Sequence, residues 1–285
     1  MATWLSLEML IVLFYQVYIE GLRSADEPIV DRLRLEIFLD DVFHNYRSLL
    51  DIHTDLLEKL HARQEEQHPR IGSISDLIYD AALRWQDAII EYGSHYPKAK
   101  YAWELEKRTN PKFAAFLDVS LEVHSLRNRR SDLGFFLQRC RNASGTNRQD
   151  IGHFAYRPVP RLLRYTLLLK DIQKHLSRSE QLDNLDIATI PEVIDLIDSQ
   201  GKMIEKGVEE SSAKVSLWQL PDSLSGGKFG NEIIQDLDLT NPMRELVHKG
   251  RLLRQPEGSI AASWSELHAL LFNNFCKSSR ARSTM

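Results

Sequence analysis

The chain has 285 residues, 43% hydrophobic and 27% charged, with 36 Lys and Arg against 40 Asp and Glu for a formal net charge of −4. Such a balance supports a buried core, excludes disordered, collagenous and mucin-like classes, and supplies no global attraction to nucleic acid. Only Cys140 and Cys276 are present, far apart and without a Cys or His partner at metal-ligand spacing, which excludes a disulfide framework and a zinc site and points to a reducing compartment, by default the cytoplasm.

In chain order, Leu5 to Ile19 is apolar but broken by Glu8 and Gln16, and its longest run, Met9 to Tyr15, is far short of the roughly 20 residues that cross a bilayer. A buried helix is expected there, and the absence of a basic residue in Met1 to Ser6 argues against a secretory signal. Leu35, Phe38, Leu39, Val42, Phe43, Tyr46, Leu49, Leu50, Leu56, Leu57 and Leu60 recur at three- and four-residue spacing, predicting one long helix that ends near Pro69. Ser73 to Asp76 offers caps for a second helix through Trp85 and Tyr92 that stops at Gly93. Pro97 is expected to open a third helix, and Asn110-Pro111 restarts the chain into Phe113 and Phe116. Further helices are expected from Pro158 and after Pro191. Beyond Trp218 the pattern changes: Asp222 to Gly230 has the composition of a connector, and Leu246 to Arg254 and Trp264 to Phe272 look like two strands, followed by a polar, basic tail from Cys276.

Signals of covalent chemistry are weak. Gly226-Gly-Lys228 lacks the spaced glycine and the following Ser or Thr of a phosphate loop. His44, His53, His61 and His68 drift around a helix rather than forming an i, i+4 pair, so no metal or other cofactor is expected. The informative stretch is Arg157-Pro-Val-Pro-Arg-Leu-Leu-Arg-Tyr-Thr-Leu-Leu-Leu-Lys-Asp-Ile-Gln-Lys-His-Leu176. Val159, Leu162, Leu163, Leu167, Leu169, Ile172 and Leu176 read as its buried stripe, with Arg161, Arg164, Lys170 and Lys174 as its basic exposed side.

The run Arg-Pro-x-x-Arg-Leu-x-Arg-Tyr-x-Leu-Leu-Leu-Lys resembles the most diagnostic block of the Dbl homology domain, the helical module that exchanges guanine nucleotides on Rho-family GTPases. Ile19 to Asp26, Ile37 to Asn45, Tyr92 to Tyr96 and Asn110 to Phe116 continue the resemblance in the family's order. Val247 to Arg254 and Trp264 to Phe275 resemble the first strands of the pleckstrin homology domain that follows it, and the likeness is nearest to fungal Rho1-type exchange factors. Three stretches depart from the family pattern. Met1 to Tyr15 does not match the opening Thr-Glu block. Residues 117–138 have no counterpart and read as an insert of unspliced origin. Gly207-Val-Glu-Glu210 stands where an Asn-containing turn is common.

The resemblance implies a mainly α protein: an elongated helical bundle over 17–215, a linker over 216–240 and an incomplete pleckstrin homology-like β segment over 241–285. It implies a guanine-nucleotide exchange factor that does no covalent chemistry and stabilises the nucleotide-free GTPase, with a Rho-family GTPase, Rho1-type above others, as partner. Thr166, Lys170, Gln173 and Lys174 would face the GTPase, and Arg161, Arg164 and Tyr165 would pack within the bundle. Lys249, Arg251 and Arg254 would offer a phosphoinositide site, drawing a cytoplasmic protein to the inner face of the plasma membrane. The alternative is an exchange-defective scaffold or GTPase-binding protein left by a degraded or mis-spliced exchange factor.

Overall fold

The computed structural model describes residues 15–69, 71–122, 151–177, 185–224, 237–254, 265–273 and 276–280. Most of the expected helix over Leu5 to Ile19, most of the insert, and most of the connector over 222–230 therefore lie outside the described residues. The chain divides into two compact units, Met1–Glu209 and Glu210–Met285.

In the first unit Tyr15–Glu20 winds as a π-helix and Gly21–Arg23 adds one α turn, burying Tyr18, Ile19 and Leu22. Among the described residues seven helices follow: α1 Arg32–Phe43, α2 Tyr46–Glu66, α3 Ser75–Thr109, α4 Pro111–Glu122, α5 Ile151–Tyr156, α6 Pro158–Leu176 and α7 Leu185–Leu224, the last running on into the second unit. Asp31 caps α1 by accepting the Leu33 N–H at 2.8 Å. Asn110 does the same for α4, accepting from Lys112 and Phe113, so the Asn-Pro restart is a side-chain cap joined to a proline in the first turn.

The long helix expected from Leu35 to Leu60 is two helices. His44 adopts φ 47°, a left-handed conformation that costs a non-glycine residue about 1–2 kcal/mol. Contacts with α3 offset that cost: the His44 ring stacks on His95, 4.1 Å away and 7° from parallel, and Asn45 donates to the Ala88 carbonyl at 2.8 Å. No glycine or proline marks the break, which is why periodicity runs straight across it.

The reverse error occurs in α3, which passes unbroken through Gly93 and Pro97 where a stop and a restart are expected. Gly93 serves close approach instead. A Cβ there would lie 2.6 Å from Ile204 Cγ2 on α7, and one on Gly207 would collide with the Ser94 side chain. The last helix likewise begins six residues before Pro191, because Asp186 in its first turn has a tertiary task. Its buried carboxylate accepts the Ser73 hydroxyl at 2.5 Å and the Ser75 N–H at 3.0 Å, satisfying the start of α3.

Contacts fix the helix directions around α3. Asp55–Arg84, Lys59–Asp80 and Arg63–Asp76 set α2 antiparallel to it. The Tyr92 hydroxyl donates to the Ala155 carbonyl of α5 at 2.7 Å, while Tyr165 of α6 stacks on Trp85, so the chain through α5 and α6 also runs antiparallel. Asp186–Ser75, Gln200–Trp85 and Ile204–Gly93 ascend together, making α7 parallel to α3. The 35-residue α3 is thus the axis on which the others pack, and Trp85, Tyr46, Tyr165 and Phe113 are its largest buried neighbours or members.

Phe116 and Leu117 of α4 lie in this core, and α4 continues to Glu122. Leu117, at the start of the expected insert, thus contributes to the core, and residues 123–138 lie outside the described residues.

The second unit packs Leu217 and Leu220 of α7 against Leu237, Leu239, Leu270 and Phe272. That burial keeps residues 216–224 helical although the composition reads as the start of a linker. The antiparallel sheet has the order β1 Leu246–Arg254, β2 Ser265–Phe272 and β3 Cys276–Arg280. β3 occupies part of the polar, basic tail, for which no strand is expected. Its polar sequence carries no strand alternation, and backbone pairing with β2 defines it. Lys214 ties helix to sheet by donating to the carbonyls of Pro242 at 2.6 Å and Arg244 at 2.8 Å.

Candidate functional site

Pro158 in the first turn of α6 fixes φ where no N–H is needed, and leucine-rich sequence carries the helix to Leu176. The face it turns inward matches the expected one in part: Leu162 and Leu169 are buried, and Val159, Ile172 and Leu176 pack against the core. Arg161, Leu162, Tyr165, Thr166 and Leu169 are buried, whereas Leu163 and Leu167, expected in the core, are 61% and 64% exposed.

An aromatic and polar cluster sets this rotation. Tyr165 stacks on Trp85 with centroids 5.1 Å apart, and its hydroxyl oxygen lies 3.3 Å from His53 Nδ1. The Arg161 guanidinium, on the exposed side by periodicity but expected by the resemblance to pack within the bundle, sits 5.0 Å from the Tyr165 ring centroid, a cation–π geometry. Burial, and secondarily the Arg161 charge, push the His53 pKa down to about 4, while burial raises that of Tyr165. On the other side of Trp85, its indole N–H donates to Gln200 Oε1 at 2.9 Å, and Gln200 Nε2 donates to the Ala82 carbonyl at 2.9 Å. The polar groups of Trp85 and Gln200 are paired within the bundle, and the cluster locks α2, α3, α6 and α7 together.

The four residues expected to face a partner separate accordingly. Lys170 and Lys174 are exposed. Thr166 is buried, and its hydroxyl donates to the Leu163 carbonyl at 2.9 Å, so it is a packing residue rather than a surface one. Gln173 is half-buried beside it, seven residues on. Leu163, Leu167, Lys170 and Lys174 follow one another at spacings of four, three and four residues, which places them within about 60° of each other around the helix. The exposed Asp171 and His175, 3.8 Å apart, flank this line, as does Arg164, which the resemblance places within the bundle but which is exposed. Hydrophobic periodicity could not find the leucines as surface residues, since any leucine at that spacing scores as core. The Arg161–Tyr165 pair, i and i+4 on one face, is the signal that would have rotated the assignment.

Elsewhere the expected sites disperse. Alternation along β1 puts Lys249 and Arg251 on one face and Arg254 on the other, and Arg251 pairs with Glu266 at 3.1 Å, so the three cations do not converge. Gly207-Val-Glu-Glu210 is helical rather than a turn, with Val208 packed against the core. Among the described residues no group of three His, Cys, Asp or Glu side chains is placed to hold a metal, and no helix is long and apolar enough to cross a membrane.

A helical bundle built on one long axial helix, with a leucine-and-lysine line on α6 and a second unit that opens an antiparallel sheet, defines the class. The sequence profile of the RhoGEF domain matches residues 6–201, well over half of the chain, and the chain belongs to that family. The match begins ahead of Ile19 and runs through 117–138. The chain is 27% identical over 268 residues to Rho1 guanine nucleotide exchange factor 3 of Schizosaccharomyces pombe, covering 94% of this chain and 19% of that protein. It spans about a fifth of the length of the curated relatives it matches. Among solved structures, the DH/PH domains of p115-RhoGEF superpose with a TM-score of 0.66 at 16% identity, covering 99% of this chain and 69% of that one. The PDZ-RhoGEF DH/PH domains, solved in complex with GTPγS-activated RhoA, give 0.64 at 19% identity over 95% of this chain and 69% of that one.

Proposed function

We propose that this chain promotes GDP release from a Rho-family GTPase of the Rho1 type by stabilising the nucleotide-free GTPase, without covalent chemistry. The observation that carries this is the exposure of Lys170 and Lys174 on α6, inside the matched RhoGEF region, while Arg161, Leu162, Tyr165, Thr166 and Leu169 of that helix are committed to the core. The names of the fungal relatives support the choice of GTPase. An exchange factor works by differential binding: a thousandfold faster release requires it to favour the nucleotide-free state by about 4 kcal/mol. Lys170 supplies a charged donor to a carboxylate or carbonyl of the GTPase, an interaction made only when the partner's own nucleotide contacts have opened.

Release of a fluorescent GDP from a panel of Rho-family GTPases is the test. The chain accelerates release from a Rho1-type member, and Lys170→Ala lowers the rate about tenfold or more with the melting temperature unchanged, because the side chain is exposed. Activity equal to the parent in Lys170→Ala, or no acceleration on any member, refutes the proposal. Binding of nucleotide-free GTPase without acceleration identifies a scaffold instead.

A further inference from the structure

Leu163 and Leu167 stand one helical turn apart on α6, 61% and 64% exposed, and Lys170 and Lys174 continue the same line. A single exposed leucine on a soluble protein is ordinary. Two adjacent ones, bordered by the partly exposed Leu168 and aligned with two lysines, make a patch that the fold does not use, since the Arg161–Tyr165–His53–Trp85 cluster already anchors α6. We infer that Leu163 and Leu167 are the apolar anchor of the GTPase-binding face, taking up an exposed apolar side chain of the GTPase whose neighbouring carboxylates meet Lys170 and Lys174. The inference rests on the exchange-factor reading above and adds two residues and a division of labour to it.

Charge complementarity selects the occupant. Lys170, Lys174 and the flanking Arg164 outnumber Asp171 along this side of the helix, so the matching surface is apolar at its centre and acidic at its margin. Leucines buried at the centre of an interface control dissociation, because leaving returns their surface to water. Lysines at the margin steer encounter and are screened by salt over a Debye length of about 8 Å at physiological ionic strength.

The full chain and its Leu163→Ser/Leu167→Ser and Lys174→Ala variants are compared for binding to an EDTA-stripped Rho1-type GTPase at low and high salt, for GDP release, and for melting temperature. The leucine variant dissociates about tenfold faster or more at both salt concentrations, exchanges correspondingly slowly, and melts at the parent temperature or above. Lys174→Ala associates more slowly at low salt and matches the parent at high salt. If the parent exchanges and the leucine variant equals it, the anchor is overturned while the exchange function stands. A leucine variant that melts several degrees lower overturns the anchor too, since those side chains would then serve the fold. Loss only of self-association, or only of binding to anionic vesicles, assigns the patch to another occupant and also overturns it. A parent that neither binds nor exchanges removes both proposals.

Discussion

Trp85, Tyr165 and Arg161 enclose His53, and loss of water together with the nearby guanidinium holds its pKa down to about 4 against 6.5 in an open chain. Between those values the unfolded chain binds a proton that the folded chain does not. The stability His53 contributes is therefore fully present above about pH 6.5 and falls as the pH drops toward 4, by about 3 kcal/mol in all. Denaturant titrations between pH 7 and 4.5 should show this decline, and His53→Phe should flatten it by close to one proton whatever it does to stability at neutral pH. An unchanged slope would mean that the imidazole is hydrated in the folded chain. Asp186 and Gln200 belong to the same scale. Each is a polar side chain buried far from its partners in sequence, at 0% exposure for Gln200, and each is acceptable there only because its hydrogen bonds are complete.

Among the elements, α3 and α7 show how a local preference is overridden. Replacing a mid-helix glycine by alanine ordinarily stabilises by about 1 kcal/mol. At Gly93 the new methyl would sit 2.6 Å from Ile204 Cγ2, so the parallel pair must separate, and Gly93→Ala is expected to destabilise by about 1–3 kcal/mol. Ile204→Ala removes the obstructing atoms, and in that background the same substitution should cost little. A double-mutant cycle by chemical denaturation reads the coupling, and additive effects would show that the two helices do not touch there. The rotation of α6 has the same origin. Burying Tyr165 and Arg161 against α2 and α3 turns Leu163 and Leu167 outward, which is how two residues of core type come to lie beside Lys170 and Lys174.

Over the whole molecule the two units differ greatly in what they bury. Among the described residues the first closes a large core on the α3 axis, while the second buries Leu217, Leu220, Leu237, Leu239, Leu270 and Phe272 and leaves Val247, Leu252 and Leu253 of β1 exposed. A small core supports a small unfolding free energy, so calorimetry should resolve two transitions, the second unit melting first. Leu270→Ala should lower only the earlier one. A single transition that shifts as a whole would show that the units unfold together.

Composition, helical periodicity and the block from Arg157 to Leu176 by themselves determined a helical bundle, its family and an exposed position at Lys170, because these are local properties carried by residue type and spacing. They also placed β1 correctly, since Leu246 to Arg254 ends at a clear turn sequence. Only the tertiary structure decided the break at His44, the continuity of α3 through Gly93 and Pro97, the pairing of β3, the burial of Thr166 and the exposure of Leu163 and Leu167. Each of these depends on a contact with a residue distant in sequence: His95 for His44, Ile204 for Gly93, β2 for β3, and Trp85 with His53 for the face that α6 turns inward. Periodicity reports that a helix has an apolar side; which side meets the core is settled by the aromatic and polar groups that must find partners there.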